Sequence, residues 1–218
     1  MSSPSLHALD ITRTARVATL GTPASASTWW VVLHGYGQLA GDFIEHFEPI
    51  VTPERCLVAP EGLSRFYVDG MESHEDVGAS WMTREDRAHE IENYVGYLDN
   101  VVRHLCPDAH DPTICVLGFS QGAATASRWA LLGDTPVDRL VLWGGAPAHD
   151  LDLSAHATTL RQMDLTIVVG TEDPYVTAER REAVRRALDA YDIPATVHTF
   201  DGGHRLDDDI IQTVVVNS

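Results

Sequence analysis

The sequence predicts an α/β fold, with a mostly parallel central sheet and helices on both faces. Three observations carry that prediction. Short, near-continuous apolar runs alternate with helical patterns along the 218 residues, as expected for parallel strands buried on both faces. The helical segments carry apolar stripes at helical spacing. A glycine-flanked turn, Gly118-Phe119-Ser120-Gln121-Gly122, joins one such strand to one such helix. With 44 % apolar residues and no repeat, low-complexity tract or linker, Met1 to Ser218 read as a single domain.

Taken in order, the expected strands are Trp29 to Leu33 and Cys56 to Ala59, then Thr113 to Leu117 and Leu140 to Trp143, then Leu165 to Val169 and Ala195 to Thr199. Each is short, apolar and rich in Val, Leu, Ile or Trp. From Glu85 to Leu105, apolar residues fall at Ile91, Tyr94, Val95, Leu98, Val101, Val102 and Leu105. That is the stripe of a helix laid on a sheet. The small-residue run Ala123 to Ala130 is the helix expected after the glycine turn. A further stripe, Val184, Ala187, Leu188 and Tyr191, marks a helix from Ala178 to Tyr191, with Thr177 as its N-cap and Glu179 in its first turn. Ligands of such sheets bind outside the carboxyl ends of the strands, so the chemistry should lie in those loops.

Composition narrows the partners. The formal net charge is −17, and all 15 fixed basic side chains are Arg. Such a surface repels nucleic acid and anionic membranes, so neither is expected as a partner. A G+C-rich genome and adaptation to high salt both account for an acidic, lysine-free chain. No run reaches the roughly 18 to 20 apolar residues of a membrane span. The start, Met1 to His7, has no basic segment followed by an apolar run, so no secretory signal is expected. The three Cys do not form a disulfide framework; Cys56 and Cys115 fall in core strands, where a thiol behaves as a small hydrophobe. A reduced, cytoplasmic setting follows as the expectation.

The turn at Gly118 to Gly122 is strand, G-x-S-x-G, helix, the context of a nucleophile elbow. Its backbone turns so sharply that the Ser is strained and both flanks must be Gly. Ser120 would then stand at a strand's carboxyl end over a helix amino end. A nucleophilic Ser needs a base, and the base needs an orienting carboxylate. Asp173 follows the strand Leu165 to Val169, and His204 follows the last strand behind Gly202 and Gly203. The chain order Ser, Asp, His matches that arrangement. Among eleven His a single one means little, and position singles out His204. Asp173 has rivals in the adjacent Glu172 and in Asp201 and Asp164, which also lie near strand ends. An acyl-transfer site also needs donors for an oxyanion. The backbone N–H of Gln121, at the helix amino end, is one candidate. The second is Tyr36, in the loop His34-Gly35-Tyr36-Gly37-Gln38 after the first strand.

These residues resemble the phospholipase/carboxylesterase family, the carboxylesterases and acyl-protein thioesterases of the α/β-hydrolase superfamily. The pieces that match are Leu33 to Gly37, Ala59-Pro60, Ser80-Trp81, Gly118 to Gly122, Gly170 to Pro174 and Gly203-His204, in the family's order over most of the chain. The resemblance implies an α/β-hydrolase fold without a separate cap domain, no metal or organic cofactor, and hydrolysis of carboxylic esters or thioesters. Members commonly carry an acidic residue where this chain has Gln38. Long-chain thioesterases usually carry an aliphatic residue where Tyr36 stands, which argues against long-chain acyl-protein substrates.

The segment Glu61 to Asp86 is long for a strand-to-helix loop and carries Phe66, Tyr67, Met71, Trp81 and Met82. It is expected to wall the acyl pocket, with Phe66, Tyr67, Trp81 and Gly37 binding substrate; the alternative for each aromatic is that it pins the loop to the body. The function expected is a serine carboxylesterase acting on small to medium acyl groups, with a small-molecule ester as partner; a homodimer is possible. A thioesterase or lysophospholipase-type hydrolase differs only in leaving group and acyl pocket. A non-catalytic binding protein would not need the intact Ser, Asp and His set, and no H-E-x-x-H spacing points to a metallohydrolase.

Overall fold

Nine strands and six α-helices are laid out along the chain in the computed structural model, which describes residues 3–70, 74–106 and 110–216. Met1, Ser2 and Met71 lie outside the described residues. The order is β1 (Val17–Leu20), β2 (Thr28–Leu33), α1 (Ala40–Glu45), β3 (Arg55–Pro60), β4 (Ser64–Tyr67) and β5 (Val77–Ser80). There follow α2 (Arg87–Leu105), β6 (Thr113–Phe119), α3 (Gln121–Leu132), β7 (Arg139–Trp143) and α4 (Leu153–Gln162). The chain ends with β8 (Asp164–Gly170), α5 (Ala178–Asp189), β9 (Thr196–Phe200) and α6 (Asp208–Val216).

Seven strands form one sheet in the order β1-β3-β2-β6-β7-β8-β9. All neighbours run parallel except β1, which is antiparallel to β3. The two-residue period of a strand sends alternate side chains to opposite faces. In β2, Trp29, Val31 and Leu33 enter one core with α2, α3 and α4, whereas Trp30 and Val32 enter a second core with α1 and α6. Two cores explain why the strands read as unbroken apolar runs.

Every strand expected from sequence is present; five gain one or two residues in all, and the last is shifted by one, running from Thr196 to Phe200 rather than from Ala195 to Thr199. The α2 stripe is also where it should be: Tyr94, Val95, Leu98 and Val101 are buried, and Ile91, Val102 and Leu105 pack against the same core. The helix starts at Arg87 rather than Glu85, because Asp86 holds a left-handed backbone with φ 47°. Helix α5 is capped by Thr177, whose hydroxyl accepts the Arg180 N–H at 3.3 Å. In α5, Leu188 is buried in the core and Val184 packs against it. Among the described residues, no helix is long and apolar enough to cross a membrane.

The long segment after β3 folds as the antiparallel hairpin β4–β5, with Phe66 opposite Gly78. An isolated bridge from Gln38 to Ala79 ties the hairpin to the loop after β2.

Candidate active site

Ser120 lies between β6 and α3 with φ 55° and ψ −114°, a region that a non-glycine residue occupies only under strain. Neighbouring atoms hold it there. Its N–H donates to the Trp143 carbonyl at 2.8 Å, and its own carbonyl accepts the Ala123 N–H at 3.0 Å. The glycine flanks are steric necessities: a Cβ on Gly118 would fall on the Gly122 carbonyl, and one on Gly122 would fall on the Leu33 carbonyl. Helix α3 can therefore approach β6 and β2 closely enough to bring Ser120 to the strand ends.

Three loops converge on that hydroxyl. His204 Nε2 lies 2.8 Å from Ser120 Oγ, and His204 Nδ1 lies 2.7 Å from Asp173 Oδ2. The second Asp173 oxygen accepts the N–H groups of Tyr175 at 2.8 Å and Val176 at 3.2 Å. With one oxygen fixed by its own loop, the other can only face the imidazole. Two of the rival carboxylates are engaged elsewhere: Asp164 pairs with Arg139 at 3.1 Å, and Asp201 accepts the Thr171 hydroxyl at 3.5 Å. The imidazole is framed by the Phe119 ring at 4.9 Å and the Tyr175 ring, edge-on, at 4.8 Å. Gly144 completes the frame, because a Cβ there would press on His204 Cε1 at 2.9 Å. Phe119, Gly144 and Tyr175 were not singled out from sequence. The paired Gly144-Gly145 directly after a core strand was the available signal.

The loop after β2 uses most of its amides internally. Gly35 N–H donates to Gln38 Oε1 at 2.8 Å, Gly37 N–H to the Ala79 carbonyl at 2.9 Å, and Gln38 N–H to the Gly35 carbonyl at 3.3 Å. The Tyr36 N–H has no acceptor among the described residues, and neither has that of Gln121 at the first position of α3. Two unfilled donors thus belong to the two residues predicted to receive an oxyanion. His34, wholly buried, steadies the same loop. Its Nδ1 lies 2.8 Å from the Gly35 carbonyl, and its Nε2 accepts the Gly62 N–H at 2.9 Å. Burial lowers its pKa, against the raising influence of the Gly35 hydrogen bond and Glu61. The ring is therefore held neutral with the proton on Nδ1.

The residues expected to bind substrate fall in different places. Trp81 is 2 % exposed, and its indole N–H donates to the His34 carbonyl at 2.9 Å; it is a core residue under the loop, not a pocket wall. The Gly37 amide is spent on Ala79. Phe66 lies against the Tyr36 ring, with centroids 4.9 Å apart, and half-exposed Tyr67 lies beside His74. Neither lines the cavity that opens on Ser120. That cavity, of about 400 Å³, runs from Ser120 and His204 under α5, past Val169, Val184, Leu188 and Ala195. The hairpin side was expected to wall the acyl pocket; this cavity is lined from the α5 side.

The Gln121 side chain also proves to be structural. Its Nε2 donates to the Met82 carbonyl at 2.8 Å, and its Oε1 accepts the Trp81 N–H at 3.1 Å. Further along α3, buried Arg128 donates to Asp150 at 2.8 Å and to the Tyr94 hydroxyl at 3.0 Å. Burial alone would raise the Asp150 pKa, but Arg128 and Arg87 together hold the carboxyl far below its usual range. The helix carrying the nucleophile position is anchored at both ends.

The model of the phospholipase/carboxylesterase family matches residues 16–216. The chain belongs to this family. No curated protein matches it. Among solved structures, acyl-protein thioesterase 2 of Zea mays superposes with a TM-score of 0.70 at 17 % identity, over 94 % of this chain and 99 % of that one. A carboxylesterase from Mesorhizobium loti gives 0.66 at 21 % identity, over 93 % of each chain. Esterase PE8 gives 0.66 at 21 % identity, over 94 % of this chain and 98 % of its own. At such identities these likenesses concern the fold, an α/β-hydrolase sheet over nearly the whole chain. Within the phospholipase/carboxylesterase family, the departure at Gln38 has a local explanation. The position needs an acceptor for the Gly35 N–H, and the Gln38 carboxamide oxygen supplies one without a charge.

Proposed function

We propose that this protein is a serine hydrolase that cleaves carboxylic esters of small to medium acyl groups through an acyl-enzyme. The observation that carries the reading is the unbroken hydrogen-bonded relay from Ser120 Oγ through His204 to Asp173. Ser120 Oγ attacks the ester carbonyl carbon as its proton passes to His204 Nε2. Asp173 keeps the Nδ1 proton in place and stabilises the imidazolium. The carbonyl oxygen, now an oxyanion, takes the N–H groups of Tyr36 and Gln121. His204 returns the proton to the leaving alkoxide, and the acyl group remains on Ser120. Water, deprotonated by the same imidazole, then releases the acid.

Replacing Ser120 with Ala should abolish turnover of an activated aryl ester and labelling by a fluorophosphonate. Undiminished turnover in that variant would overturn the reading. Thioesters suit the same relay, since only the leaving group changes, and the thioesterase described from Zea mays shares this fold. Rates on an ester and a thioester of one acid separate the two.

A further inference from the structure

We infer that this site takes an ester or thioester that carries a second, free carboxylate, and that the Arg181 guanidinium on α5 pairs with that carboxylate. The inference rests on the serine-hydrolase reading and specifies its substrate.

The spacing of charges along α5 sets Arg181 apart. On a helix, residues face each other at separations of three and four. Arg185 has Glu182 and Asp189 at those separations and pairs with both, at 2.7 and 2.6 Å. Around Arg181 the same positions hold Thr177, Ala178, Val184 and Arg185, none of them acidic. Glu179 and Glu182 lie too close along the chain to share its face. Arg180 is engaged as well, donating to the Tyr175 carbonyl at 2.6 Å. Among the described residues, the Arg181 side chain has no hydrogen bond or ion pair.

The helix turns this unpaired cation towards the reacting atoms. Arg181 stands one turn before Val184 and two before Leu188, so it continues the stripe that packs on the core. It is half-buried, whereas Arg180, Arg185 and Arg186 are exposed. Arg181, Ser120 and His204 line one cavity. Such a stripe position ordinarily holds an apolar residue, and a partly buried cation gains from an anion that replaces its lost hydration. The cavity also runs against the charge of the chain. The net charge is −17, yet the fixed charges lining the cavity are Arg180, Arg181 and Arg185 against Asp189. With Asp189 given to Arg185, the mouth keeps a positive excess that the surrounding surface lacks. A guanidinium presents a planar fork of donors that fits both oxygens of a carboxylate. One guanidinium also matches one carboxylate charge, whereas a phosphate monoester would leave part of its larger charge unmatched in an acidic chain. An Arg stem can serve merely to cover apolar surface, but an uncharged side chain of similar length would do that equally well.

The test uses two pairs of esters on the full chain. The mono-p-nitrophenyl ester of adipic acid differs from p-nitrophenyl hexanoate by a terminal carboxylate on the acyl side. The 4-acetoxybenzoate anion differs from its methyl ester by a carboxylate on the alcohol side. Arg181→Met keeps most of the stem and removes the charge. It should lower the charged-to-neutral ratio of kcat/KM at least about tenfold in one pair or both, the scale of one hydrogen bond to a charged group. The neutral esters should change little. The pair that responds tells which side of the scissile bond bears the carboxylate. Arg181→Lys should restore part of the ratio. Arg186→Met removes the same charge from a residue of α5 that does not line the cavity, and it should leave both ratios as they are. Ratios unchanged in Arg181→Met, or lowered equally by Arg186→Met, reject the pairing while leaving the Ser120 reading intact. If no ester is turned over and no fluorophosphonate label appears, the Ser120 reading fails, and calorimetric binding of adipate decides the Arg181 site alone. Adipate should then bind at least about tenfold more weakly to Arg181→Met; equal or absent binding rejects the site.

Discussion

The Gln121 carboxamide donates to the Met82 carbonyl at 2.8 Å, so the residue after Ser120 is tied by its side chain to the segment leaving the hairpin. The same carboxamide accepts the Trp81 N–H, and Trp81 in turn holds the His34 carbonyl of the loop that carries Tyr36. The two unfilled amides, Tyr36 and Gln121, are therefore braced against each other through one chain of bonds. Gln121→Ala keeps the backbone N–H but leaves the Trp81 amide and the Met82 carbonyl without this partner. Stability should fall by about 1–3 kcal/mol, the usual cost of leaving a buried polar group unpaired. On an aryl acetate, kcat should fall more than KM rises, because the loss is in alignment of donors. Urea melts and steady-state kinetics on the variant check both parts, and an unchanged kcat would show that the brace does not reach the site.

Asp173→Asn tests the orienting carboxylate. The Asn oxygen can still accept from Tyr175 and Val176, so the loop should fold as before. Its amide nitrogen would then face His204 Nδ1 as a donor and favour the wrong tautomer for proton uptake from Ser120. In a serine protease relay the same change lowers kcat by about 10⁴, and a loss of about three to four orders is expected here. Aryl acetate kinetics and a melting curve on the same preparation separate lost chemistry from lost fold.

How much of this was legible in the sequence depended on what each residue has to satisfy. The five inner strands showed because burial on both faces leaves no room for polar residues, as in Trp29 to Leu33, whereas edge strand β9 showed by its β-branched run although it is mostly exposed. The relay showed because chain order and strand ends fix where Ser120, Asp173 and His204 fall. Edge strand β1 did not show, since its residues are only partly covered. Helix α6 buries Ile211, Val214 and Val215, but its β-branched run carries no helical propensity signal, and tertiary packing decides its state. Trp81 looked like a pocket residue because a loop Trp reads the same whether it faces core or solvent. Val184 and Leu188 line the cavity beside Ser120, and their stripe predicts a helix but not the cavity under it.

His34 should give stability a pH dependence of definite sign. Burial lowers its folded pKa, while in the unfolded chain it titrates near the ordinary value of about 6.5. Below that pH the unfolded chain takes up the proton first, so stability is full above about 6.5 and declines as pH falls towards the folded value. The slope is at most about 1.4 kcal/mol per pH unit. Protonation in the folded state would also set an Nε2–H against the Gly62 N–H. Urea melts at pH 8, 7, 6 and 5 should show a shallower decline for His34→Gln than for the unaltered protein, although the variant starts lower. Parallel profiles would mean that His34 does not carry this dependence.

Gly122→Ala tests the closeness on which the whole elbow depends. The added methyl falls on backbone, the Leu33 carbonyl, with the His34 carbonyl next to it. A flexible side chain could move aside, but two carbonyls of a central strand end cannot, because β2 is paired with β3 and β6. Relief must come from lifting α3 off the sheet, which would open the core around Ala123 and Ala126. We expect a loss of at least about 3 kcal/mol, at the upper end for single substitutions. Gly96→Ala serves as the matched control, since a Cβ there meets nothing within 4 Å and Ala is the better helix former. That control should melt at or above the temperature of the unaltered protein. Equal melting temperatures for the two variants would show that α3 can retreat from β2 without cost.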